Sequence, residues 1–269
     1  MKSLKIIYVG LLLIILFPFI ASAQDSTKSE FSASVNYQSK LHYFGRTDSL
    51  QSSGLFPSIG YQFKFGLYAQ GNFIFIQNPA IPLSYTGTTV EGGFRFKQTK
   101  HFNGNIFYTQ FLYKDKTSLV QSALHSQTGI NLAYTNNILN LNGGADLKFS
   151  DKTDIGITAG VDHLFIIKVP DKKMAFAFDP SAYAYMGTQN FSNTYIQNKN
   201  VLGVPVTQQY TTTVTQFNVL SYEVSMPVVF VAGKFNASVI PSYVMPQNLI
   251  SGERGSEMFY VALSIGIKL

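Results

Sequence analysis

The chain closes on Met258-Phe259-Tyr260-Val261-Ala262-Leu263-Ser264-Ile265-Gly266-Ile267-Lys268-Leu269. Successive side chains of an extended strand point to opposite sides. Phe259, Val261, Leu263, Ile265, Ile267 and Leu269 therefore share one face, and Tyr260, Ala262, Ser264, Gly266 and Lys268 the other. Strict alternation over this length predicts a β-strand with one apolar face. The same period recurs upstream. Leu139, Leu141, Ala145, Leu147 and Phe149 alternate with Asn140, Asn142, Gly144, Asp146 and Lys148. Val90, Phe94 and Phe96 alternate with Glu91, Arg95 and Lys97, and Phe31, Ala33, Val35 and Tyr37 with Ser32, Ser34, Asn36 and Gln38.

Extending this reading places strands at 31–44, 55–65, 67–77, 88–97, 103–113, 119–135, 138–149, 154–167, 174–186, 215–231, 234–246 and 257–269. Twelve strands is the central expectation, within a range of ten to fourteen. Each reaches the roughly 9–11 residues that a tilted strand needs to cross a bilayer. Connections after even-numbered strands are short, such as Gly66, Asn136-Asn137 and Ala232-Gly233. Those after strands 1, 3, 5, 9 and 11 are longer and polar, the longest spanning 187–214; Ser150–Thr153 breaks the rule. Short turns at one end and long loops at the other suit an up-and-down barrel in a membrane. Pro57, Pro180, Pro227 and Pro241 fall inside the proposed strands. Proline cannot donate to a ladder, so bulges are expected there.

The first residues read as an address. Lys2 and Lys5 precede an uncharged run containing Leu11-Leu12-Leu13-Ile14-Ile15-Leu16, then Pro18 and Ala21-Ser22-Ala23. A positive start, an apolar centre and a small-residue cleavage site make a secretory signal peptide over 1–23. A short periplasmic segment, 24–30, then leads into a barrel domain at 31–269. With these parts the chain resembles the Gram-negative outer-membrane β-barrel proteins across its mature length. That class carries an alternating final strand that usually ends in an aromatic, where this chain has Leu269. The resemblance implies an outer-membrane location, with membrane lipid and the export and barrel-assembly machinery as partners. A secreted β-sandwich would alternate in the same way and is the competing architecture.

Composition narrows function mainly by exclusion. Only 13% of the 269 residues are charged, about half the usual share. The absence of cysteine excludes disulfides, thiolate metal sites, a thiol nucleophile and a lipidated cysteine. The net charge of +6 is unclustered, which argues against nucleic acid as a partner. The four histidines, His42, His101, His125 and His163, show no metal-ligand spacing, and no cofactor is implied. His125-Ser126-Gln127 approaches the His–Ser arrangement of barrel phospholipases, but Gln127 stands at the nucleophile position. A non-enzymatic barrel is expected.

If apolar side chains face lipid, the interior receives Lys40, Lys64, Arg95, Lys97, Lys148 and Lys268 against Glu91, Asp146, Asp154, Asp162, Asp179 and Glu223. Six of each sign predict ion pairs across a largely filled lumen, because buried charges must be paired. Glu91, Arg95, Asp146, Lys148, Asp162, Asp179 and Glu223 form the candidate network. The amide-rich loop 187–214, with Tyr195, Lys199 and Tyr210, is the candidate surface for a cell-surface ligand or protein partner. The sequence thus points first to a structural or surface-binding barrel with an occluded polar lumen. A narrow pore for small polar solutes is the alternative.

Overall fold

Twelve antiparallel strands run in chain order, and the last one pairs with the first. The computed structural model describes residues 28–47, 50–97, 101–114, 124–150, 152–170, 173–188, 217–249 and 254–269. The proposed signal peptide, the tip of the long loop and its Tyr195, Lys199 and Tyr210 lie outside these residues. The first seven strands are β1 Glu30–Gln38, β2 Ser53–Gln62, β3 Leu67–Asn78, β4 Ile81–Lys97, β5 Phe102–Tyr113, β6 Ser126–Tyr134 and β7 Asn140–Phe149. Three more are interrupted: β8 is Thr153–Asp162 then Phe165–Lys168, β9 is Met174–Phe178 then Ser181–Gly187, and β10 is Asn218–Ser225 then Val228–Ala232. β11 is Phe235–Pro246 and β12 is Met258–Lys268. Each strand pairs with its chain neighbours. The circle shuts where β1 meets β12, from Ser32↔Lys268 to Gln38↔Ala262.

The apolar stripes face outward. Phe31, Val35, Ile59, Leu141, Ile155, Phe259 and Ile265 are all exposed, while the opposite stripe turns into a polar interior. There Ser34 and Ser58 share a hydrogen bond of 2.7 Å, Asn36 donates to the Phe56 carbonyl, and Asn72 donates to Thr89. A sandwich would bury its apolar faces against each other, so that alternative is excluded. An apolar exterior around a polar lumen is stable only where lipid surrounds it. Closure pairs the first strand with the last, so neither is left as an open edge in that lipid.

Several boundaries differ from the sequence reading, each for a local reason. The first strand ends at Gln38 rather than 44. Residues 42–47 instead fold back as a small hairpin, His42–Tyr43 against Arg46–Thr47. Its turn residues Phe44 and Gly45 have φ of 51° and 77°, the left-handed pair that a two-residue hairpin turn requires. The connection after β3 is a tight turn, not a long loop. The Asn78 side chain accepts the Ala80 and Ile81 N–H groups, and β4 starts at Ile81, well before the expected residue 88. The prolines resolve in two ways. Pro180 and Pro227 sit in the interruptions of β9 and β10, whereas Pro57 and Pro241 lie within β2 and β11. His163 N–H reaches the Pro180 carbonyl, Asp179 N–H the Pro227 carbonyl and Met226 N–H the Pro241 carbonyl, at 3.0–3.2 Å. These three prolines thus accept where they cannot donate, and the sheet carries on across the breaks.

The phase of β12 is directly testable. Ile265→Arg, on the lipid face, should cost about 2–4 kcal/mol near the bilayer midplane, and Ser264→Arg, on the lumen face, much less. Urea titration of the refolded barrel, followed by heat-modifiable gel mobility, should show that order.

Candidate functional site

The lumen and the hairpin lodged in it are the site this fold builds. From the end of β1 the chain turns inward rather than out into solvent. Arg46 anchors it: the guanidinium donates to the carbonyls of Phe44, Leu220 and Gln247, each at 3.0 Å, and the residue is 9% exposed. Its backbone also bridges to Gly255. Hydrogen bonds from a charged donor are worth about 1.5–3 kcal/mol, so one side chain ties the hairpin to β10 and to the connection after β11. Aromatic rings complete the seat. Phe44 lies 5.1 Å from the Tyr185 ring of β9, and the Lys148 ammonium of β7 sits 5.8 Å from the Phe44 ring centre. A side chain at Gly45 would meet the Pro246 ring at 2.9 Å, so glycine is required there by both φ and space.

His42 packs its ring 4.4 Å from that of Tyr260. Its Nδ1 accepts the Gly45 N–H at 3.2 Å, and its Nε2 is buried with no partner among the described residues. Burial pushes the imidazole from its ordinary value down to about 4. The docked hairpin therefore holds a neutral histidine.

Six of the seven predicted network residues lie on strands of the wall and Asp179 in the interruption of β9, but they do not form the expected cross-lumen pairs. Glu91 accepts from the Tyr68 hydroxyl at 2.9 Å and from Thr109 at 2.8 Å. Arg95 lies 4.5 Å over the Tyr68 ring and donates to Gln62. Asp162 takes amide N–H groups from Asn140 and Asn142, and Glu223 takes the Tyr260 hydroxyl at 2.9 Å. Asp179 is within electrostatic reach of Asp162 and His163. The ion pair that does form among them, Asp146 with Lys148, joins residues two apart on β7 rather than groups on different strands. Hydroxyls and amides from nearby strands thus replace most of the opposite charges. A neutral donor satisfies a carboxylate without burying a second ion, whose desolvation would have to be offset. At the rim where both chain ends lie, Lys268 pairs with Glu30 at 3.1 Å, and both remain exposed.

Sequence reasoning passed over Phe44, Arg46, Tyr68, Tyr183, Tyr185 and Tyr260 as site residues. Phe44-Gly45 was a legible turn signal. The destination of Arg46, on carbonyls some two hundred residues away, had no signal at all.

A cavity of about 750 Å³ opens in the barrel beside this network. Its wall includes Tyr68, Glu91, Arg95, Asn105, Asn131 and Tyr183. No side chain of the described residues fills this space.

No protein-family model and no curated protein matches the chain. Solved structures do. An outer membrane channel from Pseudomonas putida F1 superposes with a TM-score of 0.52 at 10% identity, covering 92% of this chain and 98% of that one. The KdgM porin aligns at TM-score 0.49 and 10% identity over 88% of this chain and 98% of its own. The NanC porin aligns at 0.49 and 9% over 89% and 100%. At such identities the likeness is one of fold. Together with the closed barrel and its apolar exterior, the likeness to the Pseudomonas channel gives this chain the fold of an outer-membrane β-barrel.

Because protonated His42 is disfavoured in its seat, docking is fully favoured above about pH 6.5 and weakens as the pH falls toward about 4. Amide exchange of residues 41–47, corrected for intrinsic rates, should lose protection over that window. His42→Asn, which keeps an acceptor for the Gly45 N–H but does not titrate, should flatten the response.

Proposed function

We propose that this protein is a non-enzymatic, narrow pore for small polar solutes, with the hairpin at 42–47 as its constriction. The observation that carries the reading is the open cavity in a polar lumen. A barrel that served only as scaffold has no need of unfilled space, and twelve strands lie between the eight that side chains fill and the 16–18 that leave a wide channel. The way the hairpin is held also fits a constriction. It is fixed by the Arg46 side chain, by contacts to the His42 and Phe44 rings and by a short backbone link to Arg254 and Gly255 rather than by a continuous ladder, so it narrows the path without being part of the wall.

A second reading keeps the barrel closed, with its work done by the outer loops and a cell-surface ligand or protein as partner. The hairpin filling the space between Tyr185 and Tyr260 favours it. In either case the signal peptide and the barrel-assembly machinery would bring the chain to the membrane.

Planar-bilayer recording separates the two. Wild-type protein should show small, steady conductance steps. Arg46→Ala, which removes the anchor on Leu220 and Gln247, should raise them several-fold and add open-state noise. A wild type and an Arg46→Ala variant that both insert but never conduct would favour the second reading.

A further inference from the structure

Resting on the pore reading, we propose that the lumen cavity is a binding site for a neutral sugar, with Tyr183 as the stacking platform and a comb of asparagine amides as the hydroxyl reader. The platform is set by a glycine. Tyr183 pairs across the ladder with Gly160, and its Cδ1 and Cε1 lie 2.1 and 2.3 Å from where a Gly160 side chain would begin. No other residue at 160 would let the ring lie across the wall there. Tyr183 lines the cavity on its remaining side and stacks beside Tyr185, centroids 6.2 Å apart and planes 22° apart. The equivalent ring across the barrel, Tyr68 over Gly93, is already covered by the Arg95 guanidinium. Tyr183 is therefore the ring face offered to a solute.

The amides stand next to it. Asn105, Asn131 and Asn142 come from β5, β6 and β7 and line the same cavity as Tyr183. Each is held in place: Asn131 donates to Asn105, Asn105 donates to the Tyr68 hydroxyl, and Asn142 donates to Asp162. A primary amide carries two donors and a two-lone-pair acceptor, so these bonds fix each group and leave capacity for a ligand. Gly144 supplies the room, since a side chain there would meet Asn131 Oδ1 at 2.7 Å. Fixed amides beside an aromatic face match a molecule with an apolar ring face and a hydroxylated rim. The charge argument selects a neutral one. The cavity's two charged residues already have partners, Glu91 in Tyr68 and Thr109, Arg95 in Gln62 and the Tyr68 ring. A charged solute would lose hydration and meet a like charge beside the opposite one, since Glu91 and Arg95 line the same cavity.

The test is isothermal titration of the detergent-folded full chain with sucrose, with glucuronate and glucosamine as charged counterparts, alongside sucrose block of single-channel current. Sucrose should bind and should interrupt the current, and the charged sugars should bind more weakly. Tyr183→Ala should weaken sucrose binding about tenfold, the scale of one lost aromatic contact, while Tyr183→Phe should bind as wild type. Asn131→Ala, which removes a reader without touching the platform, gives an independent loss should Tyr183→Ala fail to fold. No sucrose binding by wild type, equal binding by Tyr183→Ala, or equal binding of the charged sugars would overturn the site. Conductance without sucrose binding would sink the site and leave the pore; sucrose binding without conductance would do the reverse.

Discussion

Everything in this molecule depends on pairing β1 with β12. A strand in hydrocarbon has no water to satisfy its backbone, and an open edge leaves several such groups bare at a cost of several kcal/mol each. The first and last strands therefore must meet, over seven residue pairs from Ser32↔Lys268 to Gln38↔Ala262. That closure decides which way each side chain points. With Val35 and Ile265 paired on the outside, Ser34 and Gly266 must be paired on the inside, and the polar lumen follows. The breaks in β8, β9 and β10 obey the same constraint, since each interruption hands its hydrogen bond to a proline carbonyl rather than leaving it unmade.

The interior is built from neutral donors around isolated charges. Tyr68, Thr109, Asn140, Asn142 and Tyr260 each serve a carboxylate that would otherwise need a cation. This economy of charge leaves room, which a lattice of long lysines and arginines would have taken. Glycines on the lumen face widen the effect by letting rings and amides lie along the wall. The inward hairpin then narrows the lumen from one side, held by Arg46.

The sequence made the barrel legible because its signal is local: period-two alternation, read strand by strand, gives the number of strands and the phase of β12, β7 and β1. It failed where alternation persists without a strand. Tyr37, Leu41 and Tyr43 continue the odd-numbered stripe of β1, so period alone could not distinguish a longer strand from the hairpin that Phe44 and Gly45 turn inward. Glu91, Asp162 and Glu223 are met by polar side chains of the lumen face, but those partners were not legible. Glu223 and Tyr260 lie on strands separated by β11, and only the closed register brings the hydroxyl to the carboxylate. A composition count balances charges; it does not see amides and phenols doing that work.

Closure in this register is the central claim, and the absence of native cysteine allows a clean measurement of it. Asn36 and Ser264 face each other across the seam on the lumen side. They sit between the pairs that exchange backbone hydrogen bonds, where side chains approach most closely. The double variant Asn36→Cys/Ser264→Cys, folded and then oxidised, should form a disulfide joining the first and last strands in high yield. Asn36→Cys combined with Ala262→Cys or Gly266→Cys should not. Cross-linking that ignored the partner position, or that appeared with Ala262→Cys in place of Ser264→Cys, would contradict the closed register.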